Sequence, residues 1–400
     1  MRRGTKIQKL KQALPGIVKD VRHYAKPRVK LHNEGLGDYY TEGYRSLNQR
    51  EWKGVRDTAY DFASWLKVYG YMAVTLGKHP VALTKSFVRY PWMASYLTVA
   101  NMLDRHKLGL RGKQLRYTQE QFYGVVHNSV DVIAKIIERD ENLNSPNNKR
   151  AAKLRAKTVM FDEMTPSIIM AGFPMLDWID IAMSPVCLPG EVDQNANIMY
   201  VDAAERMGLA ADVCPLPSAE VGCAIVDDYP QVGSSFITSS MPCDGSLGAA
   251  LFMDRYMKKL PSFTLTPPQR FNEPETNAYA VKDLKNCIRF IEETYDVKWD
   301  WDAFWKKAEE YNKTTQCMLD KWDVNCTPYP QVVGSALSLQ REYEFQTAAC
   351  LDSYMIKQDE KVTKMMLKGY QEDKEADRKD YKYRAIVWCC PAHYYTHFTT

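Results

Sequence analysis

The sequence has no apolar run long enough to cross a bilayer and no apolar stretch of the kind an export signal needs. Tyr69 to Leu76 and Tyr90 to Leu103 come nearest, but Lys, Arg, Pro or Asn breaks each within a few residues. Both read as buried or partner-facing helices, which predicts a cytoplasmic protein with no membrane association. Phosphate-binding glycine loops are missing too: neither GxGxxG nor GxxxxGK followed by Ser or Thr occurs, so the chain is not expected to bind nucleotide itself. HExxH is absent, leaving the His393/His397 pair to read as surface residues. A formal charge of +4, with the basic excess mostly in the first thirty residues, is too thin for a nucleic-acid footprint.

Cysteine is present, but never as CxxC, which argues against a zinc ribbon or a ferredoxin-type loop. Ten cysteines in a reducing compartment remain thiols. Most cysteines of this kind are small buried hydrophobes, and Cys287, Cys317, Cys326 and Cys350 are read as structural. Two others occupy positions suited to chemistry.

The pattern along the chain predicts an α/β protein in four parts. Residues 1–155 read as a helical region, with Trp52, Val55, Ala59, Phe62, Ala63 and Leu66 forming one amphipathic face and Phe122 to Ile137 a second. ERDENLNSPNNKR then reads as a surface linker. Residues 156–275 read as a Rossmann-like domain: KTVMFDE and PSIIMAGF as strands, a helix from about Ala203 to Leu209, SSFITSS as a buried strand, and SLGAALFMDRYMKKL as a helix. Residues 276–380 read as long helices, ending in the charged QEDKEADRKD, a solvated face. Residues 381–400 carry one strand, AIVWCC, which either joins the preceding sheet or opens a second α/β domain that is cut short.

Cys214 and Cys243 are placed on successive loops at strand ends, where α/β folds build their sites, and soft sulfur ligands there suit iron–sulfur or zinc. Around them stand Pro166-Ser-Ile-Ile-Met-Ala-Gly172-Phe-Pro174, a helix, Cys214, Gly222, the strand Phe236 to Ser240, and Cys243-Asp244. Pro267-Pro268, Glu292-Glu293-Thr294, Trp301 and Asn312 follow in order. Over about residues 158–398 this succession resembles the subunits of 2-hydroxyacyl-CoA dehydratases and benzoyl-CoA reductases.

That resemblance implies that Cys214 and Cys243 are two of three cysteines holding a 4Fe–4S cluster. The third comes from a carboxy-terminal α/β domain, outside these 400 residues, with Cys389 and Cys390 in reserve and Cys187 and Cys223 behind them. Ser240 and Asp244 become groups supporting the cluster, Asp244 doubling as a helix N-cap. The glutamate that such dehydratases tend to carry before the Ala-Gly is replaced here by Pro166 and Ser167, so Glu163 is the nearest candidate for its role, alongside a plain helix-capping part. The implied activity is radical dehydration of a 2-hydroxyacyl-CoA, or ring reduction in the reductase branch. It involves a second homologous subunit and a separate ATP-dependent activator that supplies one electron. A cluster-free scaffold subunit is the competing reading.

Overall fold

The computed structural model describes residues 52–98, 110–162, 165–189, 196–212, 214–240, 244–256, 260–268, 273–332, 336, 339–340 and 353–379. In chain order its elements are helices α1 (Val55–Leu76), α2 (Pro80–Arg89), α3 (Gly112–Arg139) and α4 (Lys149–Arg155), then strands β1 (Thr158–Phe161) and β2 (Asp177–Asp180). Helices α5 (Ile198–Arg206) and α6 (Pro215–Ile225) follow, then β3 (Ser235–Ser239), α7 (Asp244–Tyr256), β4 (Ser262–Leu265), α8 (Pro274–Tyr295), α9 (Trp301–Asn325) and α10 (Ser353–Glu375). None of the described helices is long and apolar enough to cross a membrane. The strand expected within residues 381–400 lies outside the described residues, as do Cys350, Cys389, Cys390, His393 and His397.

The chain divides into two compact units. The first contains Leu76–Tyr96 and Asp131–Ala308, and is built on a four-stranded sheet of order β2-β1-β3-β4 in which every pairing is parallel. Parallel strands need a crossover between them, and the crossovers place helices on the sheet's faces. All five residues of β3 are accordingly buried. One face carries Val159, Phe161, Ile237 and Leu265 against Ile169, Phe173 and Ile291.

The sequence led us to expect a strand at PSIIMAGF. Instead, Ser167–Gly172 forms a 3-10 helix, opened when Pro166 accepts the Ile169 N–H, and the second strand lies further on at Asp177–Asp180. The reason is topological. β2 runs parallel to β1, so the chain has to cross back over the sheet first, and the apolar run is that crossing. Trp299 packs on Gly172 so closely that a Cβ there would meet its ring at 2.5 Å.

ERDENLNSPNNKR is likewise more than a linker. Asp140 is fully buried and accepts hydrogen bonds from the Tyr90 hydroxyl and from the backbone N–H groups of Asn142 and Gln231. Close by in sequence, Arg89 pairs with Asp228 at 3.2 Å, and the Trp92 indole donates to the Asp228 carbonyl at 3.1 Å. The expected burial of Tyr90 and its neighbours is met: Tyr90, Trp92, Met93 and Tyr96 are all core.

The second unit takes in 52–75, 110–130 and the described part of 309–379, and is helical. Tyr117, Val332, Val362 and Met366 share its core. Lys321 and Asp359, exposed by 0% and 1%, form an ion pair at 2.6 Å. QEDKEADRKD is only partly a solvated face, since Asp373 is buried and engages Lys113 and Gln331. The apolar face read along α1 is at the surface, with Val55, Phe62 and Leu66 all exposed, whereas the α3 face from Phe122 to Ile137 is buried as expected.

Burial, only partly offset by the hydrogen bonds from Tyr90, Asn142 and Gln231 and by the charge of Arg89, pushes the Asp140 carboxyl up to about 6. The folded state then binds this proton more tightly than the unfolded chain does. Its stabilising contribution is complete below about pH 4 and is lost as the pH rises through about 6. Asp140→Asn should remove that dependence: the wild type is expected to lose about 3 kcal/mol relative to the variant between about pH 4 and pH 7. Urea unfolding across that range measures it, and parallel curves for the two proteins would contradict the assignment.

Candidate functional site at the carboxyl edge of the sheet

β1 has β2 on one side and β3 on the other, so the chain's direction of winding reverses between β1 and β3. Open α/β sheets bind ligands in the crevice that this reversal leaves at the strands' carboxyl ends. Asp162 follows β1 there and holds the crevice's two sides together. Its carboxylate accepts the Ser239 N–H at 3.0 Å and the Thr165 hydroxyl at 2.7 Å, while its own N–H donates to the Ile237 carbonyl at 3.2 Å. Ser240 is buried next in line, its N–H donating to the Leu265 carbonyl at 2.8 Å. Asp244 opens α7 four residues after Ser240. Cys243 and Glu163 lie outside the described residues.

Cys214 reaches its place through two helices. α5 ends at Gly208, whose φ of +102° suits glycine. The Gly208 N–H donates to Glu205 and the Leu209 N–H to Ala204, a Schellman arrangement that closes the helix. This stops α5 short of the expected end at Leu209. The chain then turns, and Pro215 and Pro217 begin α6, with Pro215 in the position proline favours. Cys214, preceding a proline, is extended at φ −49° and ψ 129° and stands as the N-cap.

The expected position at a strand end is therefore corrected. Cys214 lies between two helices, at the amino end of α6, because the segment before it is helix closed by glycine and not strand. A helix leading to the amino end of a parallel strand starts toward the sheet's carboxyl edge, and Cys214 stands at that starting end of α6. The Cys214 side chain does not cap α6. Ser, Thr, Asp or Asn usually holds an N-cap; here the residue is an exposed cysteine at the helix's partially positive end.

Helix α6 is buried from Pro217 to Cys223 and packs against α5 and α7. Gly222 makes this possible, because a Cβ there would overlap the Tyr200 carbonyl. In an otherwise uncharged helix Glu220 is buried as well, accepting the Tyr229 hydroxyl at 2.7 Å. In the sequence, no motif marks Asp162, Glu220 or Tyr229 as a site residue. The signal for Glu220 was present: one acid in PLPSAEVGCAI is out of keeping with its surroundings.

The remaining cysteines separate on burial. Cys187, Cys223 and Cys287 are buried in the same unit. Burial, then the charges of Asp228 and Glu220, pushes the Cys223 thiol well up, and burial pushes Cys287 to about 12. In both, burial disfavours the thiolate. Among the described residues no group of three or more His, Cys, Asp or Glu is gathered to hold a metal ion.

A parallel sheet that reverses its winding between β1 and β3, with helices connecting the strands, defines an α/β protein, and Cys214 stands at the N-cap position of α6. A family model described as 2-hydroxyglutaryl-CoA dehydratase, D-component, matches residues 192–399, more than half the chain. The chain belongs to the 2-hydroxyglutaryl-CoA dehydratase D-component family. No curated protein matches it. The match takes in Cys214, Ser240, Cys243 and Asp244; Glu163 and the run from Pro166 to Pro174, also part of the resemblance read from sequence, precede it.

Because Gly222 sets the approach of α6 to α5, Gly222→Ala is expected to cost about 3 kcal/mol. Gly248→Ala in α7, where a Cβ meets open space, should stay within about 1 kcal/mol of the wild type or stabilise it. Denaturant midpoints distinguish these; equal effects at the two glycines would show that α6 does not depend on close approach.

Proposed function

We propose that this chain is a subunit of a 2-hydroxyacyl-CoA dehydratase-like enzyme of the cytoplasm, in which Cys214 and Cys243 hold part of a 4Fe–4S cluster. A further thiolate comes from outside the chain. The observation that carries the reading is the exposed thiol at the N-cap of the buried helix α6, in a unit whose other described cysteines are buried. Membership of a family whose description names a CoA-thioester dehydratase supplies the substrate class.

Cys214, the described member of the pair, suits such a group. A helix amino end favours an anionic sulfur, and thiolates are the ligands iron–sulfur clusters take. When bound, the cluster supplies one low-potential electron, received from an ATP-dependent activator, and an iron position open to the substrate. The chain's own residues shape the place. Asp162 fixes the end of β3 through the Ser239 N–H, four residues before Cys243 in sequence. Pro215 and Pro217 restrict the backbone on either side of Leu216, so the Cys214 position does not depend on side-chain packing alone. Ser240 and Asp244 flank Cys243 as supporting groups. Glu163, directly after Asp162, is assigned the proton-handling role beside the thioester. The second, homologous subunit completes the substrate site.

The full-length protein, co-expressed with its partner subunit and purified without oxygen, is expected to contain iron and sulfide near cluster stoichiometry. It should also bind CoA thioesters by calorimetry. Cys214→Ala or Cys243→Ala should lose most of the iron, and Cys223→Ala should keep it. Colourless, iron-free protein would establish the scaffold reading instead, and a Cys214→Ala variant with full iron content would remove that residue from the ligand set.

A further inference from the structure

The face of α1 turned away from α3 is apolar and bare. Val55, Ala59, Phe62, Leu66, Gly70 and Ala73 recur at steps of three and four, the spacing that keeps one stripe along a helix, and every one of them is exposed. Val55 is 77% exposed, Phe62 54% and Leu66 50%. The stripe runs for about 27 Å along the helix. The opposite face is engaged within the same unit: Val68 is buried, Asp57 pairs with Arg116 at 3.5 Å, Asp61 accepts the Gln119 amide, and Tyr71 stacks on His127.

Gly70 adds an independent observation. Glycine inside a helix is less stable than alanine, so it needs a reason. Gly70 does not have a positive φ, and a Cβ there would meet nothing within 4 Å. No backbone turn and no close neighbour among the described residues calls for it. With Ala59, Ala63 and Ala73, it leaves a shallow face between the larger Phe62 and Leu66, onto which a second helix can close.

The charges beside the stripe have one sign. Arg56 and Lys67, the only basic residues of α1, are both exposed, Lys67 lying over the Tyr123 ring at 3.5 Å. The only acids, Asp57 and Asp61, are the ones turned to α3. An occupant of this face therefore brings acids. The first fifty residues, with twelve Lys or Arg against four Asp or Glu, carry the wrong charge. Two copies of α1 paired antiparallel would set basic rim against basic rim. A bilayer rewards bulky apolar groups and gains nothing from a glycine.

We propose that this face of α1 docks the partner subunit, through an apolar helix flanked by Asp or Glu that approaches most closely at Gly70. This rests on the second subunit of the proposed function and not on the cluster.

The measurement is sedimentation of the full chain with its partner subunit, at low and at high salt. Gly70→Leu adds bulk where the chain itself leaves space, so the isolated chain should keep its denaturant midpoint or gain slightly, while the complex weakens at least about tenfold. Phe62→Asp should weaken it as much, and Arg56→Glu should weaken it at low salt and reduce its salt dependence. Unchanged affinity in Gly70→Leu and Phe62→Asp overturns the inference, and so does an equal loss in Val281→Asp, whose side chain on α8 is as exposed as Leu66. Self-association of the wild type that Gly70→Leu abolishes would give the face to a second copy, and binding to phosphatidylserine vesicles that Phe62→Asp abolishes would give it to a membrane; either overturns the proposal. A wild-type chain that forms no complex removes the second subunit from the proposed function, and the inference falls with it. A complex that survives every variant leaves the second subunit standing and removes only the docking face.

Discussion

Helix α6 lies against the Tyr200 carbonyl, with no room for a side chain at Gly222. The features of the candidate site follow from that approach. It buries α6 from Pro217 to Cys223 and so fixes the axis at whose amino end Cys214 stands. It also carries Glu220 inward to meet Tyr229, and Tyr229 meets β3 through Phe236. A bulkier residue at 222 would push α6 away from α5. Glycine at this position is thus a requirement of helix packing, eight residues from the N-cap Cys214.

The sheet contributes the second constraint. With β1 and β3 adjacent and parallel, and the winding reversed between them, two chain segments leave the same edge side by side. Asp162 binds one to the other by accepting the Ser239 N–H. A carboxylate bridging adjacent strand ends holds Asp162 and Ser239 together. A multi-thiolate site needs such stiffness, because each ligand on a loose loop loses conformational entropy when it binds. Proline restriction at one candidate ligand and a carboxylate clamp beside the other are two solutions to the same problem.

Much of this was legible in the residues. β1 and β3 announced themselves as short apolar runs, and the buried α3 face from Phe122 to Ile137 as a helical period. The order of Cys214, Gly222, the strand and Cys243-Asp244 carried the family. Where the reading failed, tertiary topology had overridden local pattern. PSIIMAGF is apolar enough for a strand but is needed as a crossing, and Asp140 looks like linker until the Tyr90 hydroxyl reaches it from fifty residues away. Glu220 was overlooked because one acid within an apolar helix carries no spacing signal. The exposed face of α1 shows the converse: a clear period specifies a helix face without specifying what lies against it.

The proposed function places iron at the carboxyl edge between Cys214 and Cys243. X-ray diffraction of the full-length protein with its partner, crystallised without oxygen and recorded at the iron absorption edge, tests it directly. The account predicts an anomalous peak within iron–sulfur bonding distance of both sulfur atoms, at the mouth of the β1/β3 crevice. An iron peak that leaves either cysteine unligated, or no peak in this subunit, would contradict it.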